Sequence, residues 1–261
     1  MKNLSRKNNL FWQAGRTRFF WLTALVLLAA SGCTGRASNR GMSANGALIM
    51  TENSPLVYIL PPPITDGSVS VERALANRRS HRRFQDRALS AQQLSQILWA
   101  AYGITEPMPG HPGLRGGLRT TPSAGAMFPL EIYVVIGNVT GIEPGVYRYI
   151  SQQHQIVRTI NRDVREELSR AALGQTMIRD APVTIVHTGV LSRLTGRYGQ
   201  RGQRYLWIEV GHSAQNIYLQ AEALGLGTCA VGAFMDNMVS ELLQLPAEEE
   251  PLYLMPVGYV R

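Results

Sequence analysis

Apolar residues recur at three- and four-residue steps in two stretches of the chain. In the first, Leu94, Ile97, Leu98 and Ala101 follow Ser90 and Gln93, whose spacing is that of a capping box, and Gly103 ends the pattern. In the second, Trp207, Val210, Ala214, Ile217, Tyr218, Ala221 and Leu224 predict the longest helix, over residues 205–224, stopped by Gly225. Two continuous apolar runs predict strands, Leu130–Ile136 closed by Gly137 and Asn138, and residues 182–187. A short helix is expected over Val71–Asn77, a strand-like turn over 228–234, a helix capped by Asp236 and running through Leu243, and a last strand over 252–259. Helices and strands alternate with no internal repeat, which predicts one mixed α+β domain over residues 55–261.

The pattern before residue 55 is different. Basic residues up to Arg18 precede an apolar run over residues 19–30, and Ser31, Gly32 and Cys33 follow. Twelve residues are too few for a membrane-spanning helix, which needs about 20, but they suit the core of an export signal. Ala29 to Cys33 resemble the lipobox of bacterial lipoproteins, with Ala30 where leucine is usual. The expectations are a signal peptide over 1–32, lipidation of Cys33, a Gly/Ser/Asn-rich tether over 33–54, and an exported protein held on the periplasmic or outer face of a membrane. Composition then reads differently. Five of the 26 basic residues precede Cys33 with no acid among them, so the net charge of +8 falls to +3 beyond it, and nucleic acid is not an expected partner. Both lysines, Lys2 and Lys7, lie in the leader, so the remaining chain has no lysine for Schiff-base or P-loop chemistry. Cys229 is left without a disulfide partner and reads as a packed small residue, and five scattered histidines give no local metal site.

Three segments carry candidate chemistry. Arg78, Arg79, Ser80, His81, Arg82 and Arg83 follow the first helix; their guanidinium forks suit a phosphate, and a solvated basic turn explains them equally well. Pro122, Ser123, Ala124 and Gly125 belong to a small-residue loop running into the strand at Leu130, through which backbone amides can approach a flat ligand; an ordinary Pro/Gly loop has the same composition. The run from Gly225 to Phe234 has the glycines of a dinucleotide fingerprint but follows a helix instead of a strand, so that reading fails. Gly211-His212-Ser213 has part of a hydrolase nucleophile elbow, but it lies inside the long helix and lacks the closing glycine.

In this order and spacing, the segments resemble the FMN-dependent nitroreductase superfamily, and within it the SagB/ThcOx-like branch. The resemblance extends through Leu98 to Gly103, Tyr198 to Gly202, Glu209 to Asn216 and Pro251 to Gly258, and covers roughly residues 70 to 261. It implies a central, mostly antiparallel sheet flanked by helices, an intertwined homodimer, and FMN at the dimer interface with NAD(P)H as donor. By position it assigns Arg78, Arg79, Ser80 and Arg82 to the flavin-binding cluster. Pro122, Ser123, Ala124 and Gly125 become the loop along the ring, Val231, Gly232 and Ala233 the turn offering amides near N5, and Arg261 a basic residue near phosphate.

Two positions depart from the family pattern. Ala126 stands where classical nitroreductases have asparagine. Arg197-Tyr198 stands where azoline dehydrogenases of the branch carry a lysine-tyrosine pair, and arginine stays protonated, which makes it a poor general base. The resemblance thus implies an FMN oxidoreductase acting on a small substrate, with Tyr198 and Arg197 as candidate catalytic residues. An azoline dehydrogenase of peptide maturation and a non-catalytic flavin-binding lipoprotein are the alternatives.

Overall fold

The structure, a computed structural model, describes residues 56–261; the expected signal peptide, Cys33 and the tether lie outside the described residues. Seven strands form one sheet in the order β1-β6-β5-β4-β7-β9-β8. They are β1 (Val57–Ile59), β4 (Leu130–Ile136), β5 (Gly145–Ile150), β6 (Gln155–Ile160), β7 (Val183–Gly189), β8 (Gly227–Thr228) and β9 (Glu250–Gly258). Every pairing in it is antiparallel. A separate hairpin joins β2 (Ile104–Pro107) to β3 (Gly117–Arg119).

β4 explains why the sheet is covered on both sides. All seven of its residues are buried, and its side chains alternate between two cores. Leu130, Ile132, Val134 and Ile136 face one, beneath α2 (Ala91–Tyr102) and α6 (Arg201–Ala223). Tyr133 and Val135 face the other, beneath α3 (Arg165–Ala171), α4 (Thr176–Asp180) and α7 (Asp236–Leu243). α1 (Val71–Asn77) and α5 (Ser192–Tyr198) complete the helices.

Local signals explain the element ends. Ser90 Oγ accepts from the Gln93 amide at 3.1 Å while Gln93 Oε1 accepts from the Ser90 amide at 3.0 Å, which is the expected capping box. The long helix begins four residues earlier than its apolar pattern, at Arg201. Residue 182 stays outside β7 because proline donates no ladder hydrogen bond. Asp236 does not cap α7: Met235 holds the N-cap position without a side-chain hydrogen bond, and Asp236 is the first helical residue, where its charge still favours the helix dipole. The turn over 228–234 is strand only at its start, with Val231 bridged to Leu254.

Candidate functional site

α6 is the spine of the site. Tyr218, on its C-terminal half, gathers the first group of residues. Its hydroxyl accepts the Ala230 amide at 2.8 Å and stands 3.0 Å from Ser80 Oγ, and the Arg78 guanidinium lies over its ring at 5.2 Å. The backbone joins the same parts: His81 donates to the Thr228 carbonyl at 2.9 Å, and the Arg261 amide donates to the Arg83 carbonyl at 3.2 Å. Arg78, Ser80 and Arg82, the turn after β8 and the C-terminal Arg261 are therefore neighbours. Two members are already committed. Arg79 folds back onto the end of α1, donating to the Ala76 and Arg78 carbonyls at 3.0 and 2.8 Å. The Val231 amide donates to Leu254 at 2.9 Å, whereas among the described residues the exposed Gly232 and Ala233 amides donate to nothing.

The opposite face of α6 organises the second group. Ser123 Oγ accepts the Phe128 amide at 2.9 Å and folds the loop back on itself, through left-handed backbone at Gly125 (φ 59°), Ala126 (φ 55°) and Phe128 (φ 47°). Asparagine adopts that conformation more readily than alanine, so Ala126 is strained. Packing holds Phe128 there: its ring meets Tyr102 edge-on at 6.3 Å and Arg119 covers it at 4.9 Å. Asn216 pins the loop start through Thr120 and Thr121. Arg197 and Tyr198 close over Gly125, where any Cβ would collide with the Tyr198 hydroxyl and lie 3.0 Å from Arg197 Nη1. Tyr198 is wedged edge-on against Tyr205 at 4.8 Å.

Glu209 lies beneath this loop and is 1% exposed. Tyr102 donates to its Oε1 at 2.5 Å, and its Oε2 closes no hydrogen bond. Burial pushes its pKa up to about 6, although the nearby Ser123 hydroxyl, Tyr102 and Arg119 draw it down.

Nine residues separate Glu209 from Tyr218, which is about 14 Å along the axis and half a turn around it. The two groups consequently flank α6 on different sides, and no hydrogen bond or ion pair joins them within the described chain. Neither the 230 Å³ cavity at the β4–β5 end of the sheet nor the 610 Å³ groove beside α1 and α2 contains any of the sequence-predicted site residues.

Sequence reasoning missed Tyr218, Glu209 and Tyr102. All three sit on helices whose apolar spacing absorbed them into the core, and only a tyrosine or glutamate at a buried step could have marked them. The elbow-like Ser213 is 2.9 Å from His187 Nε2, but its hydroxyl donates to the Ala101 carbonyl at 2.8 Å. His187 is fully buried, which drives its pKa down to about 4, and Ser213 is equally inaccessible, so the pair is a core contact and not a nucleophile with its base.

An antiparallel sheet between helical layers thus carries the arginine-rich cluster and the small-residue loop on either side of one long helix. The chain belongs to the nitroreductase family, whose family model, described as "Nitroreductase family", matches residues 75–259. A protein of Methanocaldococcus jannaschii named as a nitroreductase is 47% identical over 190 residues, covering 73% of this chain and 91% of that one. A crystal structure of a nitroreductase from Ralstonia eutropha superposes with a TM-score of 0.66 at 28% identity, over 78% of this chain and 90% of that chain. The microcin B17-processing protein McbC of Escherichia coli is 27% identical over 166 residues, 60% of this chain and 57% of that protein.

Proposed function

We propose that this nitroreductase-family oxidoreductase binds FMN as a homodimer and passes hydride between NAD(P)H and a small substrate. The observation that carries the reading is the chemistry of the donor set around Tyr218. Arg78 and Arg82 have no carboxylate partner among the described residues, and the amides of Gly232 and Ala233 are exposed and free. That set fits a phosphorylated, hydrogen-bond-accepting cofactor. The separation of the two groups by α6 supports the dimer, since one ligand meets both only if the Ser123 loop comes from a second copy.

FMN, when bound, supplies hydride transfer at N5. Arg78, Ser80 and Arg82 hold its phosphate and polar edge, and the free amides after Val231 orient the ring. The Ser123 loop, fixed by Phe128 and Asn216, shapes the other wall. In this reading Tyr198, held over Gly125, moves a proton, and the Arg197 guanidinium attracts an electron-rich substrate. Purified residues 34–261 should be yellow, and NADH or NADPH should bleach them in stopped flow. Colourless protein that takes up no added FMN overturns the reading, and bound flavin that neither donor bleaches shows a binding protein instead.

The likeness to the microcin-processing protein favours one second reading, an azoline dehydrogenase. Loss of two hydrogens from an azoline peptide, followed by mass spectrometry, tests it; Arg197 in place of lysine argues against it. We also propose a lipid anchor at Cys33, supported by the apolar run before it. Mass spectrometry of the mature N-terminal peptide should show a lipidated cysteine, and an unmodified peptide containing residues before 33 overturns that.

A further inference from the structure

Away from Tyr218, a second set of arginines surrounds the cavity between β3, β4 and β5. Its volume is 230 Å³, and Arg115, Arg119, Arg148, Glu131, Ser151 and Gln152 line it. Glu131 is the centre of the set. Its Oε1 accepts from Arg193 at 2.5 Å and Arg115 at 3.1 Å, and its Oε2 accepts from Arg148 at 3.0 Å. Glu249 is the other acid, 3.9 Å from Arg148 and engaged by the Thr188 hydroxyl at 2.7 Å. Three guanidiniums thus share two carboxylates, and a fourth, Arg119, pairs with neither and donates instead to the Tyr102 and Arg115 carbonyls and to Ser151 Oγ. The Nε groups of Arg119 and Arg148 are buried with no partner. Arg115 and Arg148, whose side chains are 36% and 34% exposed, keep the cavity open to solvent on its cationic side.

We propose that this cavity binds a small oxyanion, a carboxylate or a phosphate. Excess positive charge in a partly desolvated recess is the arrangement that holds such groups, because guanidinium forks match paired oxygens. Burial and the neighbouring Arg193 pull the Arg115 pKa down, and burial does the same to Arg119, so an added negative charge relieves both. The volume equals that of about eight water molecules, which admits a small organic acid or a free phosphate and excludes a whole dinucleotide. Arg119 also covers the Tyr102 ring at 4.5 Å, and Tyr102 holds Glu209 beneath the Ser123 loop, so an occupant borders the loop half of the candidate site.

The test is calorimetric titration of the purified protein, saturated with FMN, with phosphate, malonate and chloride at constant ionic strength. Saturable binding of phosphate identifies the inorganic ion, saturable binding of malonate the carboxylate, and chloride should give no signal. Arg115→Gln should weaken binding at least tenfold. It leaves Glu131 paired with Arg148 and Arg193, so the fold is retained. Gln152→Glu, which removes no arginine, should abolish binding by placing a carboxylate at the rim. FMN saturation keeps the proposed cofactor phosphate site filled, and Arg170→Ala, which removes an exposed arginine outside both clusters, should leave binding unchanged. An equal response to chloride, or binding unaffected by Arg115→Gln and Gln152→Glu, overturns the proposal.

Discussion

The molecule carries two arginine clusters built on opposite principles. Arg78, Arg79, Arg82 and Arg83 are consecutive or nearly so in the chain, lie at the surface, and make no ion pair among the described residues. Arg115 with Arg119, Arg148 and Arg193 come from three separate segments and are half-buried, and all but Arg119 pair with Glu131 or Glu249. The difference is one of purpose. Uncompensated surface charge costs the fold little and stays available to a ligand. Half-buried charge costs desolvation, which local carboxylates offset only in part here.

The largest expected effect follows from that contrast. Glu131→Gln leaves three guanidiniums without their shared carboxylate and should cost about 3 kcal/mol, discounted from a fully buried pair because the arginines are partly solvated; urea denaturation measures it. Burial alone pushes the Glu131 pKa up, but Arg148 and Arg193 outweigh it and hold the group below its ordinary value. A neutral residue there that leaves the unfolding midpoint unchanged would erase the distinction between the clusters. The surface cluster should behave in reverse. Arg78→Ala or Arg82→Ala should each weaken FMN retention by about 2 kcal/mol, read by flavin fluorescence on dilution, with stability changed by less than about 0.5 kcal/mol.

The third prediction sharpens the boundary between the two regions, where Arg119 of the half-buried cluster approaches Glu209. The folded pKa of Glu209, about 6, lies above its ordinary 4.5, so the folded state binds the proton more tightly than the unfolded state. Its contribution is favourable below pH 4.5, is lost as pH rises through 6, and amounts to on the order of 2 kcal/mol. Glu209→Gln should flatten that part of the stability profile, as followed by thermal unfolding across the range.

The same contrast explains what the sequence made legible. β4, the capping box of α2 and the core of α6 were readable because burial imposes periodicity on neighbouring residues. The Arg78 cluster was readable for an equivalent reason, its members being adjacent in the chain. The β5–β6 hairpin was not readable. Its strands interrupt their apolar positions with Arg148 and Arg158, and its Ser151–His154 connection contains neither glycine nor asparagine, with His154 taking the left-handed conformation at φ 48°. The cluster around Glu131 was equally hidden, since nothing in sequence spacing brings Arg115, Arg148 and Arg193 to one carboxylate. Glu131 itself, the single acid within an otherwise apolar strand run, was the available clue.

β1 has a mechanical consequence. It is the first element of the described domain and an edge strand, paired only with β6 through Val57, Tyr58 and Ile59. His154 fastens its end: the His154 carbonyl accepts the Leu60 amide at 3.1 Å, and its ring lies 2.8 Å from the Tyr149 hydroxyl and 3.0 Å from the Pro61 carbonyl. A force applied at the N-terminal side of this domain therefore loads that short seam first. The seam can yield as a fuse while β4, β7 and the two groups flanking α6 keep their geometry, so traction at this edge is absorbed before it reaches the interior of the fold.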